Sequence, residues 1–301
     1  MTYSEIWHRI ATSYDDGEAR AIARILIEEL FGLSYADIVC GATEQLSADD
    51  TLRLDTAVRR IEQGEPLQHV LGYADFCGNR FCVNGSVLIP RPETEWLVDE
   101  GAKLMDGCIA SDETQHKAPH SPKRILDIGT GSGCIAISLK LRLGDAYVEA
   151  WDISEEALRT AQDNADALKA EVAFRKKDAL RADNTAAPWD LIVSNPPYIC
   201  DSERSAMDDN VLLHEPHTAL FVPDDDPLRF YRAIARYALL TLNTGGSLLF
   251  ECNTRYAEAT RTMLSDMGFE EVTVSDDCFN LPRFVRGRKN SPSQPSPSGR
   301  A

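Results

Sequence analysis

The sequence predicts an α/β protein in which a small helical region precedes a mainly parallel sheet. Three observations lead to this fold class. Apolar residues recur at helical spacing between Tyr3 and Gln63, β-prone runs alternate with helical segments from Arg124 onward, and a glycine-rich turn follows the first of these runs. Such alternation is typical of a parallel sheet that helices cover on both faces.

The helical region comes first and is expected to span residues 1–66. Apolar residues such as Ile22, Leu26 and Leu54 follow the helical repeat, with polar breaks near Gly32 and Gly41. We expect these apolar stripes to form a core, and any contact with a partner to use the exposed side of the helices.

A β-hairpin linker is expected next, over residues 67–90, because two short β-prone runs flank Gly78-Asn79. The domain with the large sheet then spans residues 91–288. Within it, the polar stretch from Cys108 to Lys123 has the composition of an exposed loop. Residues 289–301 are rich in serine and proline and are expected to form a disordered tail.

The elements of the larger domain follow from local patterns. In chain order they are a strand at 125–128, a helix from 132, a strand at 146–151, a helix at 154–168, strands at 172–175 and 191–194, a helix at 227–242, a strand at 247–251, a helix at 256–267, and strands at 271–275 and 283–286. No helix separates the last two strands, so they should pair as a hairpin. That pairing places one antiparallel strand in the sheet.

Length, composition and charge restrict the class of function. The chain has 301 residues, of which 43% are hydrophobic, enough for two domains with cores. No apolar run approaches the roughly 20 residues that span a bilayer, and the first residues lack a secretory signal, so we expect a cytoplasmic protein without a membrane partner. The net charge of −17, with only short basic groups at 175–177 and 283–289, favours a protein or small-molecule partner over duplex nucleic acid.

The cysteines and histidines do not indicate a metal site. The eight cysteines are scattered without a C-x-x-C pair, which is typical of buried, reduced thiols. His116 and His120 lie in a polar stretch without a cysteine or carboxylate at ligand spacing. We therefore expect no metal.

The glycine-rich turn is the first candidate ligand site. Asp127 lies in the preceding strand, and Gly129, Gly131 and Gly133 follow as G-x-G-x-G ahead of a helix. Glycines allow a ligand to approach the backbone closely, and a helix N-terminus offers free N–H groups. A purely structural turn is the alternative interpretation.

Two carboxylates at the ends of the next strands add to this signal. Asp152 ends the second strand, about 20 residues beyond the loop, where a carboxylate can accept hydrogen bonds from ribose hydroxyls. Asp178, at the third strand end and followed by Ala179, is placed to face an adenine amino group. Taken singly, each carboxylate is also compatible with a helix cap or a solvated loop. Together they indicate an adenosine ligand without a pyrophosphate.

The strand at 191–194 ends at Asn195, Pro196, Pro197 and Tyr198. Prolines here are typical of a simple turn. The other interpretation is a rigid site at the carboxyl end of a strand, where ligands bind in open α/β sheets.

These motifs together resemble the class I S-adenosylmethionine-dependent methyltransferases that methylate planar nitrogens. The segments GEPLQHVLG (64–72) and VLIPRPETEWLV (87–98), with the helical start, narrow the resemblance to the release factor glutamine methyltransferases, which modify the glutamine of the Gly-Gly-Gln motif in translation termination factors. The resemblance covers residues 4–288 and implies a Rossmann-like, seven-stranded sheet with one antiparallel strand. N-P-P-Y alone is shared with DNA adenine and some RNA methyltransferases.

The resemblance implies S-adenosylmethionine as the cofactor and release factors as protein partners of an enzyme that we expect to be monomeric. The implied cofactor-binding residues are Asp127, Gly129, Thr130, Gly131, Ser132, Gly133, Asp152, Asp178, Ala179 and Asn195. The implied substrate-binding residues are Asn195, Pro196, Pro197, Tyr198, Arg91 and Glu93, of which Asn195, Pro196 and Tyr198 are the catalytic ones.

The chemistry of an amide explains why these residue types suit the reaction. The nitrogen lone pair of a glutamine amide is delocalised into the carbonyl, so a catalyst must favour the pyramidal nitrogen. The Asn195 side-chain oxygen and the Pro196 carbonyl can accept its two hydrogens and stabilise the developing positive charge. Tyr198 would offer a flat face to the amide. No histidine or cysteine base is needed, because the alkylated nitrogen loses its proton easily.

Several residues keep two interpretations. Arg91 and Glu93 either shape the substrate entrance or pair with each other, and Glu215-Pro216 either contacts substrate or forms a turn. His69 is more typical of a packed or solvent-facing residue than of a base. After Glu251 the chain continues as CNTRYAE, where family members commonly have a glycine-containing loop, so neither Glu251 nor Asn253 receives a role.

Two alternatives to the leading function stay open at the level of sequence. The first is a DNA adenine or RNA methyltransferase, which the acidic balance and the lack of a recognisable nucleic-acid module disfavour. The second is a catalytically silent methyltransferase-like scaffold, which the intact glycine loop and N-P-P-Y disfavour.

Overall fold

The computed structural model describes residues 1–110, 122–182 and 188–290. Five helices lie before the first strand: α1 Tyr3–Ile10, α2 Asp16–Phe31, α3 Tyr35–Val39, α4 Ala48–Glu62 and α5 Leu67–Leu71. Polar residues begin the first four, because the side chains of Thr2, Asp15, Ser34 and Ser47 each accept a backbone N–H of the first helical turn.

The apolar faces of these helices form one core. Ile6, Ile10, Leu26 and Ile61 are fully buried in it. Helix α5, although within the segment that the sequence assigned to a hairpin linker, packs against the same core. It is followed by the hairpin of β1 Tyr73–Phe76 and β2 Asn79–Cys82, which turns at Cys77 and Gly78.

The large sheet has seven strands. In chain order the elements are α6 Glu95–Ala110, β3 Arg124–Ile128, α7 Cys134–Leu143, β4 Tyr147–Asp152, α8 Glu155–Leu168, β5 Val172–Lys176, β6 Trp189–Ser194, β7 Ile199–Cys200, α9 Asp209–His214, α10 His217–Leu220, β8 Phe221–Val222, α11 Arg229–Thr241, β9 Leu242–Glu251, α12 Ala257–Asp266, β10 Phe269–Asp276 and β11 Pro282–Lys289. The strand order is β10-β11-β9-β6-β3-β4-β5. Among the residues that the structure describes, the one antiparallel strand of this sheet is β11, which runs opposite to β9 and β10, as the final hairpin predicted. The short strands β7 and β8 pair separately.

Helices cover both faces of this sheet. Alternate strand residues point to opposite sides, so Ile125 packs towards α6 and α7, whereas Leu126 packs towards α11. Both residues are fully buried. The sheet is therefore the middle of three layers, as the continuous apolar strands predicted.

Some of the predicted element boundaries are wrong. Helix α6 continues over residues 108–110, which the sequence assigned to a loop, while residues 111–121 lie outside the described part. Helix α7 begins at Cys134 instead of Ser132, because Gly133 precedes it with a φ of +81°. Strand β11 includes Lys289, the first residue of the predicted tail, and residues 291–301 are not described.

The cysteine prediction is partly wrong as well. Cys134, Cys200 and Cys252 are buried, but Cys40, Cys82 and Cys278 are exposed. All three exposed thiols lie at the end of an element or in a turn, where the neighbouring apolar residues cannot enclose them.

Candidate active site

A cavity of about 360 Å³ opens at the carboxyl ends of β3, β4 and β6. From β3 the chain proceeds to β4 on one side, whereas β6 lies on the other, so this is the switch point at which open α/β sheets bind ligands. The predicted residues in its lining are Gly129, Gly131, Asp152, Asp178, Ala179, Asn195, Pro196 and Pro197. Asp127, Thr130, Ser132, Gly133, Tyr198, Arg91 and Glu93 do not line it.

The glycine loop leaves its backbone open to the cavity at Gly131. This residue has a φ of +54°, and a Cβ added there would meet no atom within 4 Å. Gly129, with a φ of +78°, lies against β6, since its added Cβ would be 3.9 Å from the Asn195 carbonyl oxygen. Both glycines thus permit close approach of a ligand to the backbone.

Behind the loop, Asp127 is fully buried. Its Oδ2 accepts a hydrogen bond of 2.6 Å from the Thr130 hydroxyl, and burial raises the pKa of Asp127 to about 7. Asp127 and Thr130 therefore hold the shape of the loop from beneath, without reaching the cavity.

Gly133 and Ser132 serve the packing of helices. A Cβ on Gly133 would lie 2.9 Å from Ile137 Cδ1 and 3.1 Å from Ala161 Cβ, so only glycine lets α7 approach α8 so closely. The Ser132 carbonyl accepts a hydrogen bond of 2.9 Å from the Asn164 side chain of α8. Neither residue is part of the cavity lining.

Asp152 connects the glycine loop to the next helix. Its Oδ2 accepts from the Gly131 N–H and its Oδ1 from the Ser154 N–H, both at 2.9 Å. Ser154, not Asp152, caps helix α8, since its hydroxyl accepts from the Ala157 N–H. Burial raises the pKa of Asp152, and hydrogen bonds from the backbone N–H groups of Ser154, Gly131 and Ile153 oppose this rise. A carboxylate offers about four acceptor sites, so these hydrogen bonds do not use all of them.

At the end of β5, Asp178 and Ala179 line the cavity beside Lys177. Asp178 begins a short 3-10 turn, and its Oδ1 accepts from the Leu180 N–H at 2.9 Å. The Lys177 ammonium lies 4.1 Å from the centroid of the Trp151 ring. One cation and two carboxylates thus surround this end of the cavity.

Asn195 marks the opposite end. It follows β6 directly and is half-buried, and its Nδ2 donates to Thr94 Oγ1 at 3.4 Å, which leaves Oδ1 as a free acceptor. Pro196 and Pro197 continue the wall. The proline nitrogens carry no hydrogen, so the accessible backbone groups here are carbonyls.

Tyr198 is turned away from the cavity lining. Its hydroxyl donates to Glu251 Oε1 at 3.1 Å, and its ring packs against the apolar cluster beneath α11. Burial and the adjacent Glu251 raise the pKa of Tyr198. The structure therefore does not place the ring where the sequence expected a flat face for an amide.

Of the two interpretations of Arg91 and Glu93, the structure of the described residues does not show the one in which they pair with each other. Arg91 instead forms an ion pair of 2.6 Å with Glu215, whose side chain is buried, and the Glu93 side chain makes no hydrogen bond or ion pair within the described residues. Burial raises the pKa of Glu215, while Arg91 lowers it. The next residue, Pro216, lines the cavity, so this ion pair fixes a wall of the entrance.

His69 is buried, and burial lowers its pKa. It lies on α5, outside the cavity lining, as expected for a packed residue.

Sequence reasoning missed much of the wall. The additional lining residues include Ser86, Val87, Leu88, Lys177, Thr218, Phe221, Arg229 and Phe230. It also missed Thr94 and Glu251, which lie directly behind Asn195. The rule that ligand-site residues lie at the carboxyl ends of parallel strands would have found Glu251, because it is the last residue of β9, which pairs with β6.

The arrangement suits an uncharged or cationic nucleoside ligand. The open backbone at Gly131, the carboxylates of Asp152 and Asp178 and the apolar walls fit an adenosine, and the volume lies within the usual range of small-molecule sites. Within the described ranges there is no group of three or more metal-ligating side chains, and no helix long and apolar enough to cross a membrane.

Comparison with known proteins identifies the family of this chain. A family model described as the methyltransferase small domain matches residues 96–220, and one described as the PrmC N-terminal domain matches residues 8–72. The chain is 43% identical over 277 residues to the release factor glutamine methyltransferase of Bacteroides thetaiotaomicron, covering 92% of this chain and 95% of the relative. The enzymes of the same name from Flavobacterium psychrophilum (36% identity, 92% and 94% covered) and Chlorobaculum tepidum (38%, 88% and 89%) are also similar. The chain belongs to the release factor glutamine methyltransferase family.

Proposed function

We propose that this chain transfers a methyl group from S-adenosylmethionine to the side-chain amide nitrogen of the glutamine in the Gly-Gly-Gln motif of peptide chain release factors. One observation carries the proposal: Asn195, Pro196 and Pro197 line the same cavity as Gly131 and Asp152, in a chain 43% identical to a release factor glutamine methyltransferase. The proposed partner is a folded release factor, which a monomeric enzyme meets in the cytoplasm.

The glycine loop and the two strand-end carboxylates would hold the cofactor. When bound, S-adenosylmethionine supplies a methyl group on a positively charged sulfur. Asp152 has lone pairs for the ribose hydroxyls, and Asp178 has them for the adenine amino group. The open backbone at Gly131 allows the ligand to lie against the loop.

Asn195 and Pro196 would act on the glutamine amide. Their two oxygens accept the two amide hydrogens from outside the amide plane, which favours a pyramidal nitrogen and stabilises its developing positive charge. The proline nitrogens carry no hydrogen, so this segment presents no N–H group that could bind the substrate amide oxygen and turn the amide away from the two acceptors. Alignment of the amide with the methyl donor contributes further to the rate.

A competition experiment tests the class of substrate. The purified chain is incubated with tritiated S-adenosylmethionine and a mixture of release factor, duplex DNA and ribosomal RNA. We expect label only in the release factor, and none with the Asn195→Ala variant. Label in N6-methyladenine with an unmodified release factor would instead favour a nucleic-acid methyltransferase.

A further inference from the structure

A chain of hydrogen bonds connects Asn195 to a buried carboxylate on the neighbouring strand. The Asn195 Nδ2 donates to Thr94 Oγ1 at 3.4 Å, and the Thr94 hydroxyl donates to Glu251 Oε2 at 2.7 Å. The other oxygen of Glu251 accepts from the Tyr198 hydroxyl at 3.1 Å. Thr94 is 3% exposed and Glu251 is 1% exposed, so water does not compete for these groups.

We infer that Thr94 and Glu251 are positioning residues that keep the Asn195 side-chain oxygen pointed at the substrate amide. This inference rests on the proposed function, because it concerns the acceptor role of Asn195. It gives a function to Glu251, to which the sequence assigned none, and to Thr94, which the sequence did not single out.

The direction of each hydrogen bond follows from Glu251. When Glu251 is ionised it only accepts, so the Thr94 proton is committed to Glu251 and the Thr94 oxygen can only accept from Asn195. A flipped Asn195 amide would set its own oxygen against this hydroxyl oxygen, so two acceptors would face each other with no hydrogen between them. The observed orientation is therefore the favoured one.

This control is needed because an amide has nearly the same shape in both orientations. Packing alone discriminates poorly between Oδ1 and Nδ2. A flipped Asn195 would present an NH₂ group to the NH₂ group of the substrate, and the acceptor would be lost. Burial raises the pKa of Glu251, whereas the Thr94 hydroxyl, the positive charge of Arg283 and the Tyr198 hydroxyl lower it and so favour the ionised carboxylate.

Thr94→Val and Thr94→Ser separate this role from packing. Valine keeps the shape without the hydroxyl, so kcat on the release factor should fall about tenfold, with KM and the affinity for S-adenosylhomocysteine little changed. Thr94→Ser should keep kcat near the wild-type value. Thr241→Val is the matched control, because Thr241 is equally buried and donates only to Tyr237 of its own helix.

The Asn195→Asp background gives the sharpest test. A carboxylate has two equivalent oxygens and no orientation to select, and the Thr94 oxygen would face one of them. Thr94→Val should therefore leave turnover unchanged or raise it in that background. An equal loss of turnover in both backgrounds would show a packing role and overturn the inference.

A measurement without turnover separates this inference from the proposed function. The ¹⁵N-labelled side-chain amide of Asn195, identified by its loss in Asn195→Ala, should exchange hydrogen with solvent faster in Thr94→Val than in wild type or Thr94→Ser. An inactive wild type that shows this pattern would count against the proposed function alone. Equal amide exchange in wild type and Thr94→Val would overturn the positioning role, whatever the enzyme methylates.

Discussion

Asp152 has two tasks at the scale of a single residue. Its oxygens already accept from the N–H groups of Gly131 and Ser154, which holds the glycine loop in place, and the residue also lines the cavity. The sequence offered helix cap and ribose ligand as alternatives. Ser154 is the N-cap of helix α8, whereas Asp152 lines the cavity and holds the glycine loop through its hydrogen bond to Gly131.

Replacement of Asp152 should therefore affect binding more than chemistry. We expect Asp152→Ala to weaken S-adenosylhomocysteine binding by about 1–3 kcal/mol, because charge-assisted hydrogen bonds are lost. Asp152→Asn keeps one accepting oxygen, so its affinity for S-adenosylhomocysteine should lie between those of the wild type and Asp152→Ala. Calorimetry measures both affinities, and a thermal melt shows whether either variant is less stable than the wild type. Wild-type affinity in Asp152→Ala would remove this carboxylate from the cofactor site.

Replacement of Asn195 should instead affect turnover more than cofactor binding. Loss of one preorganised acceptor in Asn195→Ala should lower kcat about a hundredfold or more, with nearly normal affinity for S-adenosylhomocysteine. Asn195→Asp should retain more activity than alanine, because a carboxylate still accepts from NH₂. Steady-state kinetics on the release factor measure this. Equal kcat for wild type and Asn195→Ala would refute the two-acceptor arrangement.

The strand-end rule located Asn195, Asp152 and Asp178 from sequence, because parallel strands bring their carboxyl ends to one edge. It could not locate the partner of Asn195. Thr94 and Glu251 are separated by 157 residues in sequence, and only the fold brings them together. The orientation of Tyr198 was unpredictable for the same reason, since Glu251 determines it.

At the scale of elements, the glycine loop combines two different reasons for glycine. The spacing G-x-G-x-G suggested one ligand-facing set, whereas the structure separates Gly131, which faces the cavity, from Gly133, which lies between α7 and α8. Sequence spacing cannot distinguish these positions, because both need a positive φ.

Alanine at the two positions should therefore have separable effects. Gly133→Ala should lower the free energy of unfolding by about 2–4 kcal/mol, from the left-handed backbone and the contact with Ile137 and Ala161. Gly131→Ala should cost only about 1–2 kcal/mol of stability but should weaken S-adenosylhomocysteine binding. Urea denaturation and calorimetry measure these quantities. A larger stability loss at Gly131 than at Gly133 would contradict the assignment.

Element boundaries also show what local patterns miss. Strand β9 begins at Leu242, five residues before the predicted start, because its first residue pairs with Trp189 of β6 across an irregular register. The continuous apolar run starts only at Leu248, and the strand is buried without interruption from Gly246 onward. Pairing with a neighbour, not local composition, sets the length of this strand.

At the scale of the whole molecule, the helical N-terminal region and the sheet domain meet through defined contacts. Arg80 of the hairpin pairs with Glu29 of α2 at 3.0 Å, and Gly64 lies close to His214 of the segment beside the cavity. Motif resemblance gave the order of these parts along the chain. It could not place the segment 209–220 over the cavity, since that segment has no clear periodicity.

If the N-terminal region docks the release factor, its removal should separate protein and peptide substrates. An enzyme starting at Tyr73 keeps the hairpin, whose Cys82 N–H donates to Asn164 of α8. We expect KM for the intact factor to rise about tenfold or more, the equivalent of ~1.4 kcal/mol of lost binding. The rate with a short Gly-Gly-Gln peptide should be nearly unchanged. S-adenosylhomocysteine binding verifies folding, and equal KM values for the intact factor would exclude the docking role.

The central claim is that one cavity selects a glutamine amide by length as well as by chemistry. Any NH₂ on a planar carbon fits two acceptors, but asparagine, one methylene shorter, should leave its nitrogen too far from the methyl donor for in-line attack. The most direct measurement is mass spectrometry of a release factor and its Gln→Asn variant after incubation with S-adenosylmethionine. The account predicts one methyl group on the side chain of the Gly-Gly-Gln glutamine and none in the asparagine variant. A methyl group at another residue, or equal methylation of the asparagine variant, would contradict it.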